Sequence, residues 1–231
     1  MGGNDLFSDQ ELKKMIVPLF LEQLLVMLVG LADTLVISYA GESAVSGVSL
    51  VNQFNTIFIY LFTALASGGA VVISQYIGRQ DTDLAGESAS QLLMFSFGFS
   101  VLLGAAVLLG NEAMLCLLFG KVEQPVMEAC IIYMRISAYS YPALAVYNAG
   151  AAVYRSLGKT NVTMYLSVVS NVINVIGNVI GVFVFRAGVA GVAWPSFLAR
   201  VFSAVPLLFF AFGKRTGWCI GESGFLAGMA V

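Results

Sequence analysis

The chain has 231 residues, of which 59% are hydrophobic and only 10% charged, with no histidine and a net charge of -2. A soluble domain carries about 25% charged residues, so this composition, with a mean hydropathy of +0.89, excludes a water-exposed globule and indicates an integral membrane protein. The near-neutral balance offers no footing for nucleic acid, and three scattered cysteines, Cys116, Cys130 and Cys219, suggest neither a disulfide framework nor a zinc site.

Residues 1–14 read as a polar, acidic cytoplasmic segment. Gly2 invites N-myristoylation, but position 6 of that motif needs Ser or Thr and holds Leu6. The first apolar run, Met15 to Ser38, would reach about 36 Å as a helix, more than the ~30 Å hydrocarbon core. It is too long for a signal-peptide core and reads as a retained span. It carries two carboxylates, Glu22 and Asp33. Each costs roughly 2.5–3.5 kcal/mol near the bilayer centre even on lenient scales. They lie eleven positions apart and so share one helix face, which should look into protein or a wet cavity.

Five further spans follow at about 44–76, 88–110, 124–153, 161–185 and 189–212. The short polar breaks between them, YAGES, GRQDTDLAGE, NEAM through FGKVEQ, RSLGKTN and FRAG, make neighbouring helices antiparallel. The fold class is therefore all-α, a six-transmembrane-helix bundle. A membrane barrel is excluded because the runs lack dyad alternation. Lys13, Lys14, Arg79, Arg155, Lys159, Lys214 and Arg215 fall on one side, and only Lys121 and Arg186 on the other. The positive-inside rule then places both termini in the cytoplasm. Pro142 interrupts span four and Pro195 and Pro206 span six, Pro18 lies near the start of span one, and Gly177-x-x-x-Gly181 is a pattern for close helix contact. Residues 213–231 read as a cytoplasmic tail, a truncated linker.

Two tempting motifs fail. Ser156-Leu157-Gly158-Lys159-Thr160 ends like a phosphate loop, but the glycine such a loop needs is Val153. It is a basic turn, so the chain is no ATPase and is not expected to be an enzyme. Asn161-Val162-Thr163 is a glycosylation sequon on the cytoplasmic side. What remains is polar residues at matching depth. Asp33 in span one lies about 8 Å below the outer end, and Asn178 in span five and Ser196 in span six about 10 Å, with Asn174 one turn deeper and Asn171 in the same run. Oxygen donors of this kind suit a small hard cation, or a proton on the carboxylate; asparagines also serve as glue between helices. Arg135 and Arg200 lie about 16 Å down and Glu22 about 24 Å. They read as a compensating ion pair or a cavity contact. Tyr60, Met94, Phe95, Tyr139, Tyr141 and Tyr147 are either packing residues or the lining of an adaptable apolar cavity.

The run PLFLEQLLVMLVGLADTLVISYAGESAVSGVSLVNQ, then SGGAVVISQYIGRQD, NVINVIGN and AGVAGVAWPS, resembles the N-terminal half of a multidrug and toxic compound extrusion (MATE) transporter. The resemblance covers nearly all of residues 10–212. It implies one lobe of a twelve-helix, inverted-V secondary transporter in the cell membrane, exporting drugs or organic cations in exchange for Na⁺ or H⁺ and needing no cofactor. It also implies that Pro18 is the site at which span one bends. The cation, Na⁺ in a Na⁺-coupled member, would lie at Asp33, Asn174, Asn178 and Ser196. Asn178 stands where that pattern has a second carboxylate, and Ser196 where it has a threonine. One lobe is half such a transporter: the chain is expected to be a fragment lacking its C-terminal lobe, or to pair with a second six-helix chain. A lipid-linked saccharide flippase of related architecture and an inactive truncated fragment are the alternatives.

Overall fold

The computed structural model describes residues 9–120 and 122–212; Gly2, Lys121, Lys214, Arg215 and Cys219 lie outside the described residues. Six helices follow one another: α1 (Asp9–Ser38), α2 (Glu42–Gly78), α3 (Thr82–Phe119), α4 (Gln124–Ser156), α5 (Thr160–Val179) and α6 (Ala190–Phe212). A π-helical turn, Ile180–Val184, extends α5. No strand occurs among the described residues.

The helices overrun the expected spans where polar residues find partners. The expected break at NEAM is helical, because α3 continues to Phe119. There the buried Asn111 amide donates to the Ile131 carbonyl of α4 at 3.3 Å, and Glu112 beside it is exposed. At the other end of α3, the Asp81 carboxylate caps the helix by accepting from the Leu84 amide at 3.1 Å. The SLGKT stretch is a turn: Gly158 takes φ +71°, which a side chain would strain, and α5 starts two residues later. The four prolines do not end their helices; Pro18 lies inside α1, Pro142 inside α4, and Pro195 and Pro206 inside α6.

Helix α4 is the hub and packs on α2, α3 and α6. The other five helices are each long and apolar enough to cross a membrane; α4 is less apolar because its neighbours are protein rather than lipid. Its interior face carries Ala129, Cys130, Ser137, Ala138, Ala145 and Ala149, all buried, small residues that let helices approach. The two helices α2 and α4 run in the same direction and are joined by polar rungs. Tyr133 donates to Asn52 at 3.1 Å, Asn55 to Ser137 at 3.1 Å, and Tyr141 to Asn55 at 2.7 Å. Further along, the Ser156 hydroxyl donates to the Ala70 carbonyl at 3.3 Å.

Helices α5 and α6 meet through the expected small-residue pattern. A methyl on Gly177 would stand 2.6 Å from the Pro195 Cβ, and one on Gly181 would overlap the Gly191 carbonyl. Pro195 has no N–H for that carbonyl, four residues before it. Its oxygen instead packs on Gly181.

Helix α1 is peripheral. It packs chiefly on α5 and exposes Phe20, Met27, Leu31 and Leu35. Among its described side chains only Pro18, Glu22 and Ile37 are buried. Asp33 is half-buried and continues the same face, since 18, 22, 33 and 37 fall on one stripe. Of the aromatic and methionine residues considered as a cavity lining, Tyr60, Met94, Phe95 and Tyr139 are exposed, whereas Tyr141 is fully buried in the core with Phe58 and Phe62. They do not form one cavity.

Candidate ion site

The π-helical turn begins two residues beyond Asn178, and π-helical turns occur often at functional sites. One helical turn separates Asn174 from Asn178, so both amides leave α5 on one face, toward α1 and α6. Asn178 is fully buried. Its Nδ2 donates to Asp33 Oδ1 at 2.6 Å and to Asn174 Oδ1 at 3.1 Å. Asn174 Nδ2 donates to Ser196 Oγ at 2.9 Å, and that hydroxyl spends its own proton on the Val192 carbonyl at 2.9 Å. Three helices are thus tied through Asp33, Asn178, Asn174 and Ser196, with Asp33 as the one carboxylate in the cluster.

The Asn174 amide has two orientations in this network. With its oxygen turned toward Asp33, Asn174 Oδ1 lies 3.0 Å and 3.3 Å from the two oxygens of Asp33. Acceptors therefore face acceptors with no proton between them. Turning the Asn174 amide over lets its nitrogen donate to Asp33, but that nitrogen then stands 3.1 Å from Asn178 Nδ2, donor against donor. The turned amide also demands the Ser196 proton, which the Val192 carbonyl then loses. Among the described residues Asn178 Oδ1 has no partner. Either a proton on Asp33 or a cation among these oxygens relieves the first arrangement without turning any amide.

Asp33 also borders a small polar cavity lined by Thr34, Ser49, Asn52, Tyr133 and Val192. Arg200 lies one turn beyond Ser196 on the same face of α6, and its Nη1 donates to Ser140 Oγ at 2.6 Å. Asn171, by contrast, sits half-buried outside the cluster, donating to Ser167 at 3.5 Å.

The deeper group differs from expectation. Glu22 is 5% exposed, and its partner is neither Arg135 nor Arg200. The one ion pair among the described residues joins Arg155 Nη2 to Glu22 Oε1 at 3.0 Å, and the Tyr147 hydroxyl donates to the same oxygen at 3.3 Å. Arg135 is exposed on α4, and Arg200 binds a serine. The reason is depth. Expected some 8 Å below the two arginines, Glu22 lies level with the last turn of α4, where Arg155 had been counted only as a loop cation. That offset was the available signal. Pro18, one turn before Glu22, is buried beside it on the same face.

Six helices, five of them long and apolar enough to cross a membrane, define a multi-pass membrane bundle. Residues 18–180 match the family model described as MatE, and the chain belongs to that family. It is 30% identical over 195 residues to YisQ, an uncharacterized transporter of Bacillus subtilis (strain 168), covering 83% of this chain and 42% of that one. It is 26% identical over 210 residues to the probable multidrug resistance protein NorM of Thermotoga maritima, covering 89% and 45%. A MOP superfamily transporter from Pyrococcus furiosus superposes with a TM-score of 0.84 at 22% identity, over 90% of this chain and 46% of that one. The fold is therefore that of one lobe of a MATE transporter. The chain spans less than half the length of these relatives.

Proposed function

We propose that this chain is the N-terminal, ion-coupling lobe of a secondary transporter that exports drugs or organic cations in exchange for Na⁺ or H⁺. Asp33, Asn174, Asn178 and Ser196 hold the coupling ion. The observation that carries the reading is the meeting of the Asp33 carboxylate with two buried amides and a hydroxyl from two other helices, with Asn178 Oδ1 left without a partner among the described residues. A bound cation, or a proton shared from Asp33 to Asn174, binds α1 to α5 and α6. Its departure removes that tie and loosens the C-terminal half of α1, which carries Asp33. Because Asn178 offers an amide where a carboxylate could stand, the cluster exchanges one elementary charge through Asp33. No cofactor and no covalent step is involved.

The substrate class rests on relatives whose names are multidrug resistance and multidrug and toxin extrusion proteins; these names favour extrusion over a saccharide flippase. A second six-helix lobe, in the same or another chain, would complete the transporter, and the basic residues of the loops favour cytoplasmic termini.

The test is ion-driven efflux of a fluorescent lipophilic cation from vesicles carrying the protein, with Asp33→Asn as the variant. Asp33→Asn should reduce gradient-driven efflux at least about tenfold, the lower end of what losing even an outer-shell partner of an ion ligand costs, and remove any Na⁺-dependent thermal stabilisation of the purified chain. Unchanged coupling with unchanged Na⁺ response would reduce the cluster to interhelical glue.

A further inference from the structure

Glu22, Tyr147 and Arg155 are remote from the ion cluster, and the transport reading does not use them. Helix α1 buries only three of its described side chains, of which Pro18 and Glu22 lie in its N-terminal half, so the ion pair of the buried Glu22 is one of the few fastenings there. The Arg155 end is half open to solvent, at 37% side-chain exposure, whereas the Glu22 end is 6%. The pair is also half made. Only Nη2 and Oε1 meet, while the adjoining atoms, Arg155 Nε and Glu22 Oε2, are buried without a partner among the described residues. An arginine and a carboxylate ordinarily pair fork to fork, with two parallel bonds. Here the donor and acceptor left over are the two that a second parallel bond would use.

We propose that Glu22, Arg155 and Tyr147 form a latch that fastens the N-terminal half of α1 to α4. It has two engaged positions: the single bond of this structure, and a two-bond fork reached when that half of α1 shifts relative to the last turn of α4. Tyr147, donating to Oε1, keeps the carboxylate aimed while the arginine pivots. The latch acts on the end of α1 that carries Pro18; Glu22 stands eleven residues before Asp33, and the latch does not depend on an ion there.

The test is the distance distribution between spin labels at two exposed positions, Phe20 on α1 and Lys159 just past α4. It uses the chain reconstituted in lipid nanodiscs on a background with its cysteines replaced. Glu22→Gln should raise the population at displaced distances about tenfold, a figure discounted for the exposure of Arg155. The charge swap Glu22→Arg with Arg155→Glu should bring it back toward the original distribution. Tyr147→Phe, which keeps the ring, should raise the displaced population about twofold, as loss of one weak hydrogen bond does, and it keeps the test decisive should Glu22→Gln fail to fold. Asp33→Asn should leave the distribution as it was. The latch is refuted if Glu22→Gln or Tyr147→Phe changes nothing, or if the swap restores nothing. It is equally refuted if Asp33→Asn moves the N-terminal half of α1 as Glu22→Gln does.

Discussion

Asn178→Asp places a second carboxylate in the cluster, against Asp33. The present contact is a 2.6 Å bond from the Asn178 amide; the variant replaces that donor with an acceptor. Even if both side chains withdraw to about 4 Å, two like charges repel by about 4 kcal/mol at an effective dielectric of about 20. The lost charge-assisted bond adds about 1.5–3 kcal/mol. Asp33 is half-buried, so solvent screens part of this, and a net loss of about 3 kcal/mol is expected without a bound cation. For a chain of this size that lowers the midpoint of thermal unfolding by roughly 6–12 °C. Na⁺ should reverse it, because at about 100 times its dissociation constant a ligand returns about 2.7 kcal/mol. The assay is intrinsic tryptophan fluorescence on heating, in detergent at a fixed, mildly alkaline pH, across a Na⁺ series with N-methylglucamine keeping ionic strength constant. The variant should start below the original chain and climb more steeply with Na⁺. An Asn178→Asp protein as stable as the original at low Na⁺, with no steeper response, would refute the argument that these oxygens converge on a cation.

Three further substitutions probe the scaffold. Gly181→Ala drives a methyl into the Gly191 backbone and should cost about 1–3 kcal/mol, read as a lower unfolding midpoint; a neutral result would mean that α5 and α6 cross elsewhere. Tyr141→Phe strips the buried Asn55 Oδ1 of its 2.7 Å donor and should cost about 1–3 kcal/mol in the same assay, with Na⁺ dependence unchanged. Ser196→Ala removes the hydroxyl that orients Asn174. It should cost about 1 kcal/mol of stability and weaken the Na⁺ response severalfold, measurable as a rightward shift of the Na⁺ series.

Residence in the membrane, helix number and the polar character of one α1 face were legible in the sequence, because hydrocarbon imposes length and composition on every span. Depth arithmetic needs only a constant rise per residue, and it brought Asp33, Asn174, Asn178 and Ser196 to one level before any packing was known. Gly177 and Gly181 could likewise be read as a contact, since small residues in a span have few other uses. Which helix sits at the centre was not legible. The role of α4 as hub follows from three neighbours enclosing it, and a helix so enclosed tolerates serines and tyrosines that look out of place in a span. Nor could depth alone choose partners around the axis. Arg135 and Arg200 were spans away in sequence and plausible in charge, yet helix rotation turns Arg135 outward and Arg200 toward Ser140, leaving Glu22 to Arg155. Nor does depth alone set how the amides meet Asp33. Hydrogen-bond direction depends on angles and tenths of an ångström that only the packed helices set.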